Sequence, residues 1–149
     1  GIRYIFDPGQ SLPMWNPAEL VRAIDGSIVL ISNDYELDLI MKKTGLSRDR
    51  LLERTPAIIT TLGEMGSRVC TPGRETAIPT IKPREVVDPT GAGDSYRGGL
   101  ITGLARGLDI AQAAVMGSVC ASFAVECYGT QEYAFSQEEF QDRLNGRSR

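Results

Sequence analysis

The chain has 149 residues, 42% of them hydrophobic and 23% charged, the proportions of an ordinary folded domain with a real core. A net charge of −3 gives no reason to expect nucleic acid or an anionic membrane surface as partner. Histidine is absent and the three cysteines, Cys70, Cys120 and Cys127, lack metal-ligand spacing, which argues against a zinc site and for a reducing, cytoplasmic setting.

From the N-terminus, residues 2–6 (Ile2-Arg3-Tyr4-Ile5-Phe6) read as a strand stopped by the turn signal Asp7-Pro8-Gly9. Asp7 then stands at a strand's C-terminal end, where open α/β sheets gather ligand groups, or is simply a turn aspartate. Leu12-Pro13-Met14-Trp15 reads as a hydrophobic loop. Asn16-Pro17 opens a helix with a cap-then-proline pattern, which buries Leu20, Val21 and Ile24 and ends near Gly26. Residues 27–31 form a near-continuous apolar run, as expected of a strand covered on both faces. It delivers Asn33 and Glu36 to the start of a helix with Leu37, Ile40 and Met41 as its core stripe. By pattern alone, Asn33 is an N-cap and Glu36 its capping-box partner. Gly45 stops that helix, a short charged helix follows over 47–54, and Ala57 to Thr61 reads as the next strand. That strand runs into Leu62-Gly63-Glu64-Met65-Gly66, a glycine-spaced turn that opens a hairpin around Pro72-Gly73.

The most informative stretch is Asp88-Pro89-Thr90-Gly91-Ala92-Gly93-Asp94-Ser95-Tyr96-Arg97-Gly98-Gly99. The run Glu85-Val86-Val87 predicts a lead-in strand, and 95–106 predict a helix. Glycines 91 and 93 leave backbone amides uncovered at a helix N-terminus, a place that favours an anion. Asp94 adds a carboxylate there, which is odd for merely holding phosphate and sensible for taking a proton during phosphoryl transfer. A tight turn with a first-turn acid is the plainer reading. Beyond it, Gly98, Gly99 and Gly103 permit close helix packing, Gly107 ends the helix and Asp109 caps an alanine-rich one. That second helix, 110–128, is interrupted by Gln112, Ser118, Ser122 and Glu126, so it reads as buried rather than membrane-spanning. Tyr128-Gly129-Thr130 breaks it, Ser136 with Glu139 boxes a final polar helix, and the tail 146–149 is expected to fray.

The string Asp-x-Thr-Gly-Ala-Gly-Asp-x-Tyr-x-x-Gly resembles the C-terminal signature of the ribokinase-like (PfkB) carbohydrate and nucleoside kinases. The resemblance implies an α/β fold, a doubly wound sheet with helices on both faces, in which residues 1–149 form the ATP-binding C-terminal half. The substrate and lid half would be absent, and the isolated piece inactive. It implies ATP as phosphoryl donor and a sugar or nucleoside as acceptor. Asp94 would be the general base, and the amides of Gly91, Ala92 and Gly93 would steady the transferring phosphoryl group. Asn33 and Glu36 look like the family's Asn-x-x-Glu motif and would position Mg2+, Glu36 through water; residues three apart share a helix face. Thr61, Gly63 and Gly66 resemble its Thr-x-Gly-x-x-Gly segment along the nucleotide. Gly129 would lie in the loop over the adenine and, with Asp88 and Thr90, contribute to a monovalent-cation (K+) site. Asp7, Asn33, Thr61 and Asp88 are expected to gather along one sheet edge. Asp7-Pro8-Gly9-Gln10, Leu12 to Trp15 and Tyr96-Arg97 look more like the nucleoside kinases of the family than ribokinase, and any dimer would form through the missing half. The competing readings are a non-catalytic nucleotide-binding module and a dinucleotide-dependent oxidoreductase. The latter would lack the acidic residue expected about 20 positions after its glycine turn.

Overall fold

The computed structural model describes residues 2–146, so the expected fraying at 147–149 lies outside the described residues. Two compact units share the chain: one takes the residues up to Gly63 with Ser67–Ala77, the other Glu64–Gly66 with everything from Ile78 on.

The first unit is built on a mixed sheet. Strands β1 (Ile5–Phe6), β2 (Val29–Asn33) and β3 (Ile58–Thr61) run parallel, and the hairpin β4 (Ser67–Thr71) and β5 (Arg74–Ile78) follows, β4 antiparallel to β3. The spatial order is the chain order, β1 to β5. Helices α1 (Pro17–Asp25), α2 (Asp34–Thr44) and α3 (Arg48–Leu52) fall between the parallel strands. Phe6, Leu30 and Ile58 from the sheet share a core with Leu20 and Ile24 of α1 and Leu37 and Ile40 of α2. Alternate strand residues point to opposite faces, and Val29, Ile31 and Ile59 on the other face are buried as well. That two-sided burial explains the unbroken apolar run of β2. Each such aliphatic side chain taken from water contributes about 1.5–3 kcal/mol.

Capping fixes where the helices start. Asn16 and Glu19 close a capping box at α1 with Pro17 in its first turn, and α2 ends at Gly45 in the left-handed region (φ 69°). Several boundaries differ from the sequence pattern. Strand β1 is shorter than 2–6, because only Ile5 and Phe6 find register partners while Ile2 lies in solvent. The expected strand at 27–31 is shifted to Val29–Asn33. The Ser27 amide and hydroxyl both donate to the Ile24 carbonyl (3.0 and 2.9 Å), so Ser27 finishes α1 instead. The stretch Gly9–Met14 is a 3-10 helix burying Leu12, where a loop was expected.

The second unit is helical: α4 (Ala92–Ala105), α5 (Ile110–Ala124) and α6 (Gln137–Leu144). Its first two helices approach through glycine. A Cβ on Gly99 would stand 2.6 Å from the Met116 carbonyl oxygen, and one on Gly117 2.8 Å from that of Tyr96. Met116, Val119, Phe123 and Phe140 form the core, with Tyr133 and Phe135 packed against it. A buried ion pair joins α6 to the end of α5: Arg143 Nη1 lies 2.9 Å from Glu126 Oε1. The Arg143 guanidinium also covers the Phe123 ring at 3.5 Å, and the Arg84 amide donates to Glu126 Oε1 at 2.6 Å. The expected lead-in strand at 85–87 does not form. Val86 and Val87 are exposed, and the amides of Val87 and Asp88 donate instead to the Val125 carbonyl at 2.8 and 3.2 Å. Among the described residues, no helix is long and apolar enough to cross a membrane.

Candidate active site

In the first unit, three singled-out residues stand at the C-terminal ends of parallel strands. Asp7 follows β1, Asn33 ends β2 and Thr61 ends β3, with Asn33 and Thr61 direct register partners. The side chain of Asn33 accepts from the Glu36 amide at 2.7 Å, and Glu36 Oε2 accepts from the Asn33 amide at 2.9 Å. The capping box expected from the spacing is therefore made, and it uses one oxygen of each side chain. Gly63, at φ 59°, begins a short 3-10 turn, Gly63–Met65, at the exit of β3.

The second unit carries the rest. Gly66 has φ 87°, and a Cβ there would collide with the Ile78 carbonyl oxygen, so both conformation and space require glycine there. Asp88 enters the signature from irregular backbone rather than from a strand, so it does not join Asp7, Asn33 and Thr61 as a strand-end residue. Its Oδ1 accepts from the Thr90 amide at 2.9 Å and its Oδ2 from the Gly129 amide at 3.0 Å. Hydrogen bonds from the Thr90 hydroxyl, the Thr90 amide and the Gly129 amide hold its carboxyl below the usual aspartate range.

Gly91 caps α4 at φ 82°, a conformation that leaves the first turn of the helix facing out. The Ala92 amide, expected to face a phosphate, donates to the Pro89 carbonyl at 3.2 Å and is taken up by the turn. Those of Gly91, Gly93 and Asp94 find no acceptor among the described residues. The side chain of Asp94 is 85% exposed, with Arg97 Nη1 at 3.5 Å from its Oδ1. That guanidinium lies back over Gly93, 2.7 Å from where a Cβ would stand. The turn thus presents unpaired amides, suited to an anion, with an exposed carboxylate paired to Arg97 at its lip. Gly129, at φ 94°, and Thr130 return to this turn, the Thr130 backbone lying 3.0 Å from the position of a Cβ on Gly91.

Asp88, Thr90, Gly91, Gly93, Asp94 and Gly129 are thereby brought together in the second unit, while Asn33, Glu36 and Thr61 form a group in the first. Arg97, beside Asp94, and Tyr133, beside Ser95, carry no site role in the sequence pattern. Arg97 had a signal, its i,i+3 spacing from Asp94. Tyr133, whose hydroxyl accepts from Ser95 Oγ at 2.6 Å, had none, since its partner is 38 positions away.

The model of the pfkB family of carbohydrate kinases matches residues 2–137. The nucleoside kinase of Methanocaldococcus jannaschii is 37% identical over 139 residues, covering 93% of this chain and 46% of that protein. The nucleoside kinase of Methanothermobacter thermautotrophicus is 41% identical over 127 residues, covering 85% of this chain and 40% of that protein. Among solved structures, the Burkholderia thailandensis nucleoside kinase in complex with inosine matches with a TM-score of 0.94 and 37% identity, over 98% of this chain and 49% of that one. This chain spans about half the length of these relatives.

Proposed function

The chain belongs to the pfkB family of carbohydrate kinases, and on that premise we propose that it is the ATP-binding C-terminal half of a kinase that phosphorylates a nucleoside hydroxyl. The observation that carries this reading is the exposed Asp94 carboxylate standing in the first turn of α4 beside amides that find no acceptor among the described residues. An acid in that place receives the proton of the attacking hydroxyl as its oxygen approaches the γ-phosphorus of ATP. The amides of Gly91, Gly93 and Asp94 then face the negative charge growing on the phosphoryl oxygens, where fixed donors cost no reorganisation. The chain's own residues thus supply a base and an anion cradle from one turn. Thr61, Gly63, Gly66 and Gly129 are assigned to the nucleotide.

Magnesium suits the first unit in a limited sense. Among the described residues no three carboxylate, cysteine or histidine groups cluster, and Mg2+ is commonly held by one or two side-chain oxygens, water and substrate phosphates. Glu36 Oε1, which the capping box leaves out, fits that role together with the second lone pair of Asn33 Oδ1, and the ion would offset charge between the β- and γ-phosphates. Potassium fits less well. Both carboxylate oxygens of Asp88 already accept amides.

A nucleoside is favoured over a free sugar because the Burkholderia relative binds inosine and both archaeal relatives are nucleoside kinases. The dinucleotide reading loses its footing, since a Rossmann turn needs a strand leading into its glycines and residues 79–91 form none. The three free thiols suit a reducing setting such as the cytoplasm. The test is Asp94→Asn in the protein that contains this chain. Turnover with ATP and inosine is expected to fall about 10²–10⁴-fold with ATP binding kept. Near-normal turnover would remove Asp94 from the chemistry.

A further inference from the structure

The segment between α5 and α6 meets the signature turn at three points. The Gly129 amide donates to Asp88 Oδ2, the Thr130 backbone rests against Gly91, and Ser95 Oγ donates to the Tyr133 hydroxyl at 2.6 Å. In the first the segment offers a backbone amide, and in the second chiefly the Thr130 backbone with its Cβ close by. In the third, two side chains meet, one of them next in sequence to Asp94. Ser95 is buried, so its hydroxyl needs a partner inside the protein.

Tyr133 is held from behind. Its ring stacks on Phe135 at 6.1 Å and 10°, and Phe135 stacks on Phe123 of α5 at 4.4 Å and on Phe140 of α6 at 5.9 Å. The hydroxyl is therefore the polar tip of an aromatic stack fixed to two helices. A planar side chain with few torsions loses little freedom when such a tip is bonded. The contact is also at the short end for O–H···O geometry.

We infer that Tyr133 is a positioning residue: through Ser95 it latches the 129–133 segment to the first turn of α4, which keeps Gly129 on Asp88 and in place for the nucleotide. The functional half of this statement rests on the kinase reading, whereas the latch itself does not. The plainer role for the bond, satisfying one buried hydroxyl, leaves Gly129 unaffected when the bond is removed.

Two readouts on Tyr133→Phe, Ser95→Ala and the double variant separate these, all made in the protein that contains this chain. Tyr133→Phe keeps the stacked ring, so the core stays filled. Hydrogen exchange at the Gly129 amide is expected to quicken about two- to tenfold in either single variant, and no further in the double. The KM for ATP should rise by a similar factor while kcat stays within about twofold. Unchanged exchange at Gly129 overturns the latch whatever the kinetics show, and so do single effects that multiply in the double variant. Quicker exchange with an unchanged KM for ATP overturns the positioning role. Failure of the kinase reading is a separate result: no phosphoryl transfer by the unsubstituted protein, with the exchange data intact.

Discussion

Asp88 and Asp94 are six positions apart in one motif, and their surroundings give them opposite characters. Asp94 stands in solvent at the lip of the turn, while Asp88 spends both oxygens on the amides of Thr90 and Gly129. The depressed pKa of Asp88 has a consequence for acid stability. The folded chain binds that proton less readily than the unfolded chain, so the bonds add stability above the unfolded value, about 4. That contribution fades as pH falls through the lower folded value. Protection of the Gly129 amide from exchange is expected to drop in that acid window, and Asp88→Ala should remove the pH dependence. At this scale, legibility follows separation along the chain. Gly91, Gly93 and Asp94 act on their own turn and could be read from a dozen consecutive residues. Arg143 could not, because nothing in a polar helix marks one arginine as 3% exposed beneath Phe123 and Glu126.

Helices were easier to place than strands, for a local reason. Asn16, Asn33, Asp109 and Ser136 each close a capping box with the residue three positions on, a signal contained in four residues. A strand needs a neighbour that the sequence does not name. Glu85-Val86-Val87 has the β-branched character of a strand, yet its amides turn to the end of α5. The small residues of α4 were read as a packing face, and the structure divides them. Gly99 faces Met116 and Gly117 of α5, while nothing lies within 4 Å of a Cβ on Gly98. Gly99→Ala is accordingly expected to cost about 1–3 kcal/mol in a denaturant titration. Gly98→Ala should stabilise by about 0.5–1 kcal/mol, since alanine loses less entropy in a helix. Equal effects at the two positions would contradict the packing of α4 on α5.

Across the whole molecule, three of the four strand-end residues expected to share a sheet edge do so, and the parallel part of the sheet was legible from its apolar runs. The hairpin β4–β5 completes a mixed sheet, which no single strand's pattern could announce. This chain spans about half the length of its nucleoside kinase relatives. Phosphoryl transfer is therefore expected to need residues beyond these. The 149 residues assayed alone with ATP and inosine should give no turnover, and measurable turnover would show that they suffice. The Arg143–Glu126 pair fastens α6 to the end of α5. Removing one partner of such a pair costs about 3–5 kcal/mol, so Arg143→Met should lower the midpoint of unfolding steeply. Glu126 also holds the amide of Arg84, four residues before the signature begins. A protease or a fusion tag that unseats the last helix would strand an acid in the interior and loosen the tether on the approach to the phosphate turn. Helix α6 thus acts as a distant keystone for the residues that come just before Asp88.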